Sequence, residues 1–597
     1  MADPIRIANC SGFYGDRLDA AREMVEGGPI DVLTGDWLAE LTMLILAKSR
    51  RRPGGVGYAR TFLAQMEGVM GTCLDRGIRV VSNAGGLDPA GCAEALHELA
   101  DRLGLAPTIA YVDGDDLLDR IGELVASGRA RPMGGDAGDP SRYLTANAYL
   151  GCWGIVAALA GGADIVVTGR VTDAALVCGP AAWHHGWTPD DLDPLAGAVV
   201  AGHVVECGAQ ATGGNYSFFT EIDGYDGAGA RLGFPWAEVA EDGSAIIGKH
   251  DGTGGLVDRG TVVSQLLYEI EGARYLGPDV VARFDTIEVT DLGGDRVRLS
   301  GVRGEPPPAT LKVGVAEHGG YRNTVEVALT GLDVEEKARF ARAAFWRVNP
   351  HEPSDYDLVD DRVLRTDLPD PPTNEQATAV WRLVVADRDE AKVGRAFVGA
   401  LVETALASIP GLYLLSGPPQ GATAFGVHRA LAVDAELVRQ RVHFPDGRVV
   451  EAPAGGRPGA GSRLDVPATE PPAPVGGSTR PVPLGRVAGT RSGDKGADAN
   501  LGVYVRREEA WAWLRGFLTV DALRALLPEI APHPIERHEF PNLWGLNFVI
   551  RGLLAPGASG SPRRDPQAKS LGEWLRARVV EVPVALLDDP GGRGSQP

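Results

Sequence analysis

The feature that most constrains the fold of this chain is a short apolar run that passes directly into a polar or glycine-rich turn and then into a helical segment. The pattern recurs five times before residue 170, at 5–10, 30–34, 79–82, 108–112 and 165–167. Each run is short and rich in β-branched residues, which is typical of a strand buried on both faces. The sequence therefore predicts strands that alternate with helices.

This alternation predicts a mainly parallel sheet with right-handed crossovers. Residues 284–328 instead show short alternating strands, which predict an antiparallel insertion. The predicted fold class is α/β, with a large mainly parallel-sheet region over 1–451 that could form two lobes, 1–283 and 284–451. Residues 452–481 are rich in Pro and Gly and predict a linker, and residues 482–597 form a small C-terminal domain.

Ligands of open α/β sheets bind beyond the carboxyl ends of the strands, so the turns after the predicted strands are candidate binding positions. Small residues there let backbone N–H groups approach an anion. No turn carries the G-x-G-x-x-G fingerprint, so nicotinamide dinucleotide binding is not predicted. For Asn147, capping of the next helix is the alternative interpretation. The candidates of this group are Ser11, Gly12, Asn83, Gly85, Gly86, Asn147, Arg170, Thr172 and Asp173.

Two acids follow the second predicted strand. Asp36 and Glu40 stand at i and i+4, so both carboxylates face the same side near the start of a helix. They could transfer a proton, bind magnesium or stabilise the N-terminus of the helix. A helix cap beside a solvated Glu is the structural alternative.

The segment GHVVECGAQATGGN carries the strongest candidate for proton transfer. Glu206 stands among glycines with no adjacent Lys or Arg, so we expect a desolvated carboxyl with a raised pKa. His203 could form an acid/base pair with Glu206 or be a half-buried imidazole. An adjacent carboxylate raises a thiol pKa, so Cys207 is predicted to be unreactive. The catalytic candidates are Glu206, Asp36, Asp173 and His203, and the ligand-binding candidates of this segment are Cys207, Gln210, Thr212, Gly213 and Gly214.

Two further segments could bind an anion. Lys249 and His250 precede a glycine-rich turn and could hold a phosphate or thioester oxygen, although such turns are also common on surfaces. In the C-terminal domain, the cations and glycine-flanked amides of RSGDKGADAN could hold phosphate, and Asp494 could hold an accompanying magnesium ion. The candidates in that loop are Arg491, Ser492, Asp494, Lys495 and Asn500.

Composition excludes several classes of protein. The chain has 79 acidic and 58 basic residues and a net charge of −21, which argues against nucleic acid and anionic membranes as partners. Its six cysteines lack C-x-x-C spacing, so neither a zinc site nor a disulfide framework is predicted. No apolar run is long enough to cross a bilayer. We expect a reduced, cytoplasmic protein.

Four motifs occur in a fixed order along the chain: GDWLAELTM, ADIVVTGRVTDAAL, ECGAQATGG and SGDKGADANLGV. Together they resemble the acyclic terpene utilisation protein A (AtuA) family, formerly catalogued as a domain of unknown function, from the first strand to about residue 583. The resemblance implies a ferredoxin-like C-terminal domain and a place in the breakdown of branched terpenoid acids as coenzyme A thioesters. It also favours Asp36 over Glu40, because Gly35 and Asp36 belong to the first motif.

Two functions are compatible with these residues. The first is a lyase or hydratase that acts on a branched acyl-CoA or organic acid: Glu206 transfers a proton, amides near 208–214 hold the enolate oxygen, and Arg491 with Lys495 holds the coenzyme phosphates. The alternative is a non-catalytic ligand-binding or scaffold subunit for a carboxylase or hydratase of a coenzyme A pathway. No cofactor is certain, and coenzyme A enters as part of the substrate. We expect a homo-oligomer that could associate with other coenzyme A enzymes.

Overall fold

The computed structural model describes residues 3–227, 230–415, 421–457 and 475–587. These residues form two compact units. The first contains the described residues of 1–316, 428–558 and 567–597, and the second contains those of 317–427 and 559–566. The predicted linker over 452–481 lies partly outside the described residues, at 458–474, and its last part enters a strand at Thr479.

Helices and strands alternate through the N-terminal half, as the apolar runs predict. The helices are α1 (Ala20–Gly27), α2 (Glu40–Arg50), α3 (Arg60–Arg76), α4 (Pro89–Leu103), α5 (Leu118–Ala126), α6 (Trp153–Ala160), α7 (Ala175–His185), α8 (Leu192–Val205), α9 (Arg259–Leu266), α10 (Val334–Val348), α11 (Phe397–Glu403), α12 (Glu508–Phe517), α13 (Val520–Leu526) and α14 (Leu571–Arg576).

The strands fall into several sheets. They are β1 (Ile5–Asn9), β2 (Val32–Gly35), β3 (Arg79–Ser82), β4 (Ile109–Asp113), β5 (Ala130–Pro132), β6 (Tyr143–Ala148), β7 (Ile165–Thr168), β8 (Pro235–Val239), β9 (Ala245–Lys249), β10 (Arg274–Leu276), β11 (Val281–Arg283), β12 (Glu288–Asp291), β13 (Arg296–Ser300), β14 (Arg303–Glu305), β15 (Thr310–Thr330), β16 (Leu358–Leu364), β17 (Thr378–Asp387), β18 (Thr423–Asp434), β19 (Gln440–His443), β20 (Val449–Ala452), β21 (Thr479–Pro483), β22 (Ala488–Lys495), β23 (Asp498–Val505), β24 (Ile535–Phe540), β25 (Gly545–Ile550) and β26 (Val579–Pro583).

The main sheet of the first unit has the order β12-β13-β9-β8-β1-β2-β3-β7-β4-β19-β20. Its central strands, β1, β2, β3, β7 and β4, are parallel. The strands on both flanks are antiparallel. The sheet is therefore mixed, and the prediction of a mainly parallel region is correct only for its centre. Strands β12, β13 and β14 of the predicted insertion do pair antiparallel, but β13 pairs with β9, so β12 and β13 extend the main sheet.

Capping residues explain where two of the helices begin and end. α3 ends before Gly77, whose φ of 69° suits glycine and whose N–H bonds to the carbonyls of Cys73 and Leu74. α4 begins after Asp88, whose side chain accepts the Gly91 N–H, and has proline at its first position. Both signals are local, so the sequence alone could place these boundaries.

Alternate residues of the central strands fill two cores on opposite faces of the sheet. Val81 and Val166 belong to a core that includes α6, α7 and α8. Val80 and Val167 belong to a core that includes α1, α3 and α4. Burial on both faces is the reason that these strands are continuous apolar runs rather than alternating ones.

Helix α8 is buried along most of its length and approaches its neighbours through glycine. A Cβ on Gly202 would lie 2.8 Å from the Cα of Ala174, and one on Gly197 would lie 2.1 Å from the carbonyl oxygen of Gly243. A larger residue at either position would push the helix away. Since α8 ends directly before Glu206, these two glycines fix the position of that carboxyl.

The C-terminal domain contains an antiparallel sheet in the order β22-β23-β25-β24, with α12, α13 and α14. Its β22–β23 hairpin lies against the segment that follows α9. A Cβ on Gly502 would lie 2.7 Å from the Cβ of Leu267, and one on Gly493 would lie 2.5 Å from the ring of Tyr268. This close approach makes the domain part of the first compact unit.

The second unit is built on β16, β17 and the C-terminal half of β15, which pair antiparallel. Phe345, Trp381 and Phe397 fill its core with α10 and α11. Short strands were expected here, but β15 runs unbroken over 21 residues, and Gly320 within it has a φ of 123°, which glycine tolerates. Within the described parts of both units, no helix is long and apolar enough to cross a membrane.

Candidate functional site

The turns after β1, β2 and β3 meet at the carboxyl edge of the main sheet and are joined by hydrogen bonds. The Asp36 N–H donates to the Ser11 carbonyl over 2.8 Å. The Trp37 N–H donates to Asn83 Oδ1 over 2.8 Å, and Asn83 Nδ2 donates to Asp36 Oδ1 over 2.6 Å. Residues from three separate turns are thus direct partners, because their strands are parallel neighbours.

Asp36 is a buried carboxyl in this network. Its Oδ1 also accepts the Leu38 N–H over 2.9 Å. Burial raises the pKa of Asp36 well above its ordinary value, and the negative charge of Asp173 raises it further, while Arg170 and the hydrogen bonds oppose the shift. Asp36 therefore keeps its proton to a higher pH than a solvated aspartate.

Arg170, in the turn after β7, is a cation at the same edge. Its backbone N–H donates to Asp115 Oδ2 over 2.9 Å. Its Nη1 donates to Asp173 Oδ1 over 2.9 Å and to the Leu38 carbonyl over 3.0 Å. The guanidinium carbon lies 4.1 Å from the centre of the Tyr149 ring, a cation–π distance. These contacts join the turn after β7 to the turn after β2.

Glu206 lies next to this group of charges. The Asn9 side chain, at the end of β1, donates to the Glu206 carbonyl over 3.2 Å. The residue is 8% exposed, and its Oε2 has no hydrogen-bond partner in the described part of the chain. Burial raises the pKa of Glu206 well above its ordinary value, and the charges of Asp173 and Asp36 raise it further, while Lys495 opposes them. The carboxyl is desolvated, as its glycine-rich context predicts.

His203 stands one helical turn before Glu206. Its Nδ1 lies 3.6 Å from Glu206 Oε1, and its Nε2 lies 3.1 Å from the Gln265 carbonyl oxygen. Burial lowers the pKa of His203 to about 4, with a further contribution from the charge of Lys495, so the ring is neutral at pH 7. A neutral ring that bonds a carbonyl through Nε2 carries its proton there, which leaves Nδ1 as an acceptor facing Glu206.

The glycine-rich turn after Glu206 is closed by its own hydrogen bonds. The backbone N–H groups of residues 210–214, including those of Gly213 and Gly214, donate to carbonyls within the turn. The expectation that they hold an enolate oxygen is wrong for these groups, because their hydrogen atoms are already used. Thr212 Oγ1 donates to the Gly233 carbonyl over 2.6 Å and so supports the same turn.

Cys207 begins this turn. Burial raises the pKa of its thiol well above the ordinary value, and the charge of Glu206 raises it further, so the thiol is not a ready nucleophile. A Cβ on Gly12 would lie 2.5 Å from the carbonyl carbon of Cys207. The loop after β1 therefore packs directly on the turn, at a position where only glycine fits.

Lys495, at the end of β22, brings a cation of the C-terminal domain to the same region. Its Nζ donates to the Glu269 carbonyl over 2.8 Å and lies 6.0 Å from the centre of the Tyr275 ring. Its charge favours the ionised form of Glu206 and the neutral form of His203. No sequence motif marks Glu269 or Tyr275, so neither residue is among the predicted candidates.

Arg491, on the same strand, is used within the protein. It donates to the side chain of Gln210 and, over 3.2 Å, to the Asn215 carbonyl. Its guanidinium carbon lies 4.2 Å from the centre of the Tyr268 ring. A buried, paired guanidinium of this kind joins the C-terminal domain to the turn after Glu206. Its position gives no support to a role in holding coenzyme phosphates.

Lys569 lies at the exposed rim of this region and is also not among the predicted candidates. Its Nζ contacts the Tyr268 hydroxyl and lies 3.6 Å from Glu269 Oε1 and 3.8 Å from Asp494 Oδ1. Burial raises the pKa of Asp494 to about 6, and the charge of Glu269 adds to the shift, which Lys569 opposes. Across the described ranges, no three His, Cys, Asp or Glu side chains are grouped to hold a metal ion.

A small cavity is lined in part by Arg170. Glu40 Oε1 is 3.0 Å from His428 Nε2 and 3.6 Å from Lys312 Nζ. Burial alone would raise the pKa of Glu40, but the charges of His428, Lys312 and Arg170 lower it below its ordinary value, so Glu40 is ionised. The lining residues are Glu40, Met43, Thr145, Asn147, Tyr149, Arg170, Gly314, Val315, Ala316 and His428.

Lys249 and His250 form bonds elsewhere in the first unit. Lys249 Nζ donates to the Thr253 carbonyl over 2.8 Å and lies 2.9 Å from Asp295 Oδ2. His250 Nε2 lies 3.0 Å from the Met24 carbonyl oxygen. Both side chains are therefore engaged by the protein rather than presented to a phosphate.

Other predicted binding residues hold the backbone of their own turns or of neighbouring segments. Their hydrogen bonds and close backbone contacts are internal to the protein. These residues are Ser11, Gly12, Gly85, Gly86, Thr172, Ser492 and Asn500.

Two family profiles match the chain. The one described as acyclic terpene utilisation family protein AtuA matches residues 5–444, and the one described as AtuA ferredoxin-like domain matches residues 482–581. Neither a curated protein nor a solved structure gives a significant match. The resemblance carried by the four motifs is confirmed, including the ferredoxin-like character of the C-terminal domain. Because the first match covers well over half of the sequence, the chain belongs to the acyclic terpene utilisation (AtuA) family.

Proposed function

We propose that this protein is a hydratase or lyase that acts on the coenzyme A thioester of a branched acid, with Glu206 as its general acid and base. Membership of the AtuA family, which implies a role in acyclic terpene utilisation, supports the substrate class. The observation that carries the proposal is the state of the Glu206 carboxyl. It is buried, and its Oε2 has no hydrogen-bond partner in the described residues.

A general acid must keep its proton at the working pH until the reaction uses it. Burial and the charges of Asp173 and Asp36 favour the protonated form of Glu206. The neutral His203 ring offers Nδ1, an acceptor, at 3.6 Å from Glu206 Oε1. A carboxyl with a raised pKa suits proton transfer to carbon, whereas a solvated Glu would already be ionised at pH 7.

The proposed reaction balances with Glu206 alone as the proton carrier. In hydration, Glu206 gives its proton to Cα of a 2-enoyl thioester while a water oxygen bonds to Cβ. The Glu206 carboxylate then takes the proton that the added water releases, and dehydration follows the same steps in reverse. The positive charges of Arg170 and Lys495 would stabilise the negative charge that develops on the thioester oxygen.

Exchange of hydrogen at Cα tests this proposal before the natural substrate is known. A panel of straight and branched 3-hydroxyacyl and 2-enoyl thioesters of coenzyme A is incubated with the protein in D₂O, and deuterium at Cα is measured by mass spectrometry. We expect wild type to incorporate deuterium and Glu206→Gln to do so at least about 100-fold more slowly. Glu67→Gln, an exposed glutamate on α3, is the matched control and should retain the wild-type rate.

The melting temperature of Glu206→Gln separates loss of chemistry from loss of folding. An unchanged melting temperature with lost exchange supports the proposal, and unchanged exchange in Glu206→Gln refutes it. If wild type exchanges no thioester but co-purifies with a biotin carboxylase, the protein is instead a scaffold subunit.

A further inference from the structure

The cavity beside Arg170 is a candidate binding subsite whose lining residues, apart from Arg170, have no role in the proposed proton transfer. It holds about one water-sized group. Two of its lining side chains, Glu40 and His428, are 28% and 15% exposed, so the cavity lies close to solvent. A group of a larger ligand could therefore enter it while the rest of the ligand stays outside.

Asn147 supplies the polar atom that most needs a partner there. The residue is 2% exposed, and its Oδ1 has no hydrogen-bond partner in the described chain. Asn147 Nδ2 donates to Asp115 Oδ2 over 2.8 Å, and the same oxygen accepts the Arg170 N–H, which places Asn147 Oδ1 on the other side of the amide. Oδ1 is thus an acceptor, and a buried acceptor without a donor is costly.

The charges around the cavity exclude several kinds of ligand group. A carboxylate would meet both Asn147 Oδ1 and the ionised Glu40. An ammonium group would lie near Arg170 and near Lys312, whose Nζ is 4.6 Å from the centre of the Tyr149 ring. A methyl group would leave Asn147 Oδ1 unpaired. A neutral hydroxyl satisfies the site, because it donates to Asn147 and can accept from His428 or Arg170.

We propose that this cavity binds the hydroxyl group of a 3-hydroxyacyl thioester, with Asn147 Oδ1 as the acceptor that selects for it. The inference rests on the proposed function, since a hydratase forms or consumes such a hydroxyl. It adds a specificity site beside Arg170, the cation that pairs with Asp173. A bound hydroxyl would also give a partner to Asn147 Oδ1, which lacks one in the described chain although Asn147 Nδ2 bonds Asp115.

Binding of two matched ligands tests the inference without any turnover. The probes are 3-hydroxybutanoyl-CoA and butanoyl-CoA, which differ by one hydroxyl, and their affinities are measured by calorimetry. We expect wild type to prefer the hydroxylated thioester by about tenfold, the value of one buried hydrogen bond. In Asn147→Leu the preference should fall below about twofold.

A second variant covers the case in which Asn147→Leu does not fold. A Cβ on Gly314 would lie 3.0 Å from the Tyr149 ring, so Gly314→Ala fills the cavity with a methyl group and keeps every polar side chain. It should lose the preference as well. Equal binding of the two probes by wild type, or a preference that survives both substitutions, would show that the cavity takes only water and would overturn the inference.

The proposed reaction and the hydroxyl site can be refuted independently of each other. Deuterium exchange at Cα of butanoyl-CoA depends on Glu206 and not on Asn147, so it should persist in Asn147→Leu. A wild type that prefers the hydroxylated probe but exchanges no deuterium refutes the proposed reaction and supports the hydroxyl site. A wild type that exchanges deuterium without preferring the hydroxylated probe overturns the hydroxyl site alone.

Discussion

Asp115 should make the stability of this protein depend on pH. Its buried carboxyl holds Asn147 and the turn that carries Arg170. Burial raises the pKa of Asp115 from 3.8 to about 7, although these hydrogen bonds oppose the shift. A carboxyl whose pKa is higher in the folded than in the unfolded state contributes stability that is complete below the unfolded pKa. That stability is lost as the pH rises through the folded pKa.

The size of the effect follows from the shift. Roughly three pH units at about 1.4 kcal/mol each give about 4 kcal/mol, of which about 3 kcal/mol falls between pH 5 and pH 8. Asp115→Asn keeps an oxygen that can accept both hydrogen bonds and removes the ionisation. With an unfolding entropy of about 2.1 cal/mol/K for each of the 597 residues, 3 kcal/mol corresponds to about 2–3 °C in melting temperature.

Melting curves of wild type and Asp115→Asn at pH 5 and pH 8 measure this difference. We expect the melting temperature of the variant, relative to wild type, to rise by about 2–3 °C between the two pH values. Asp75→Asn, at an exposed position on α3, is the control and should show no such change. A difference between Asp115→Asn and wild type that is independent of pH would refute the reasoning. A change of opposite sign would mean that Asp115 is a stabilising anion.

Three further predictions concern the charges around Glu206 and the turn that follows it. Lys495→Met removes a charge that favours ionised Glu206, so the alkaline limb of the pH–rate profile for hydration of a 2-enoyl thioester should move to higher pH; an unmoved limb would contradict the contact. Asp36→Asn removes a repelling charge and should move the same limb to lower pH, and a shift in the same direction as Lys495→Met would count against the arrangement. Gly12→Ala places a methyl group against the Cys207 backbone and should cost about 1–3 kcal/mol, seen as a lower melting temperature, whereas Gly134→Ala, which has open space, should not.

The sequence could predict the centre of the main sheet but not its flanks. β1, β2, β3, β4 and β7 are buried on both faces, so each is a continuous apolar run that pattern alone identifies. Strand β19 pairs with β4 although about 330 residues separate the partners. Nothing local to either strand specifies that pairing, so the mixed character of the sheet could only be learned from the fold.

In the candidate site too, some residues can be found from local sequence and others depend on partners far along the chain. Asp36 and Asp173 closely follow strands, and Glu206 stands in a glycine-rich turn, so all three could be found by position. Glu269 and His428 could not, because an isolated acid or histidine in sequence is most often a solvated or structural side chain. Their importance comes from partners far along the chain: Lys495 for Glu269, and Glu40 for His428.

The C-terminal domain contributes residues to the candidate site. The charges of Asp173, Asp36 and Glu269 all raise the pKa of Glu206, and the charge of Lys495, from β22, opposes them. Two residues of the C-terminal domain also hold Glu269: Asn500 Oδ1 accepts its N–H over 2.8 Å, and Lys495 donates to its carbonyl. These bonds keep Glu269 at a φ of 55°, a strained value for any residue but glycine. A shift of the β22–β23 hairpin would therefore remove a cation that lowers the pKa of Glu206 and an acid that raises it, and burial, the largest cause of the raised pKa, would remain.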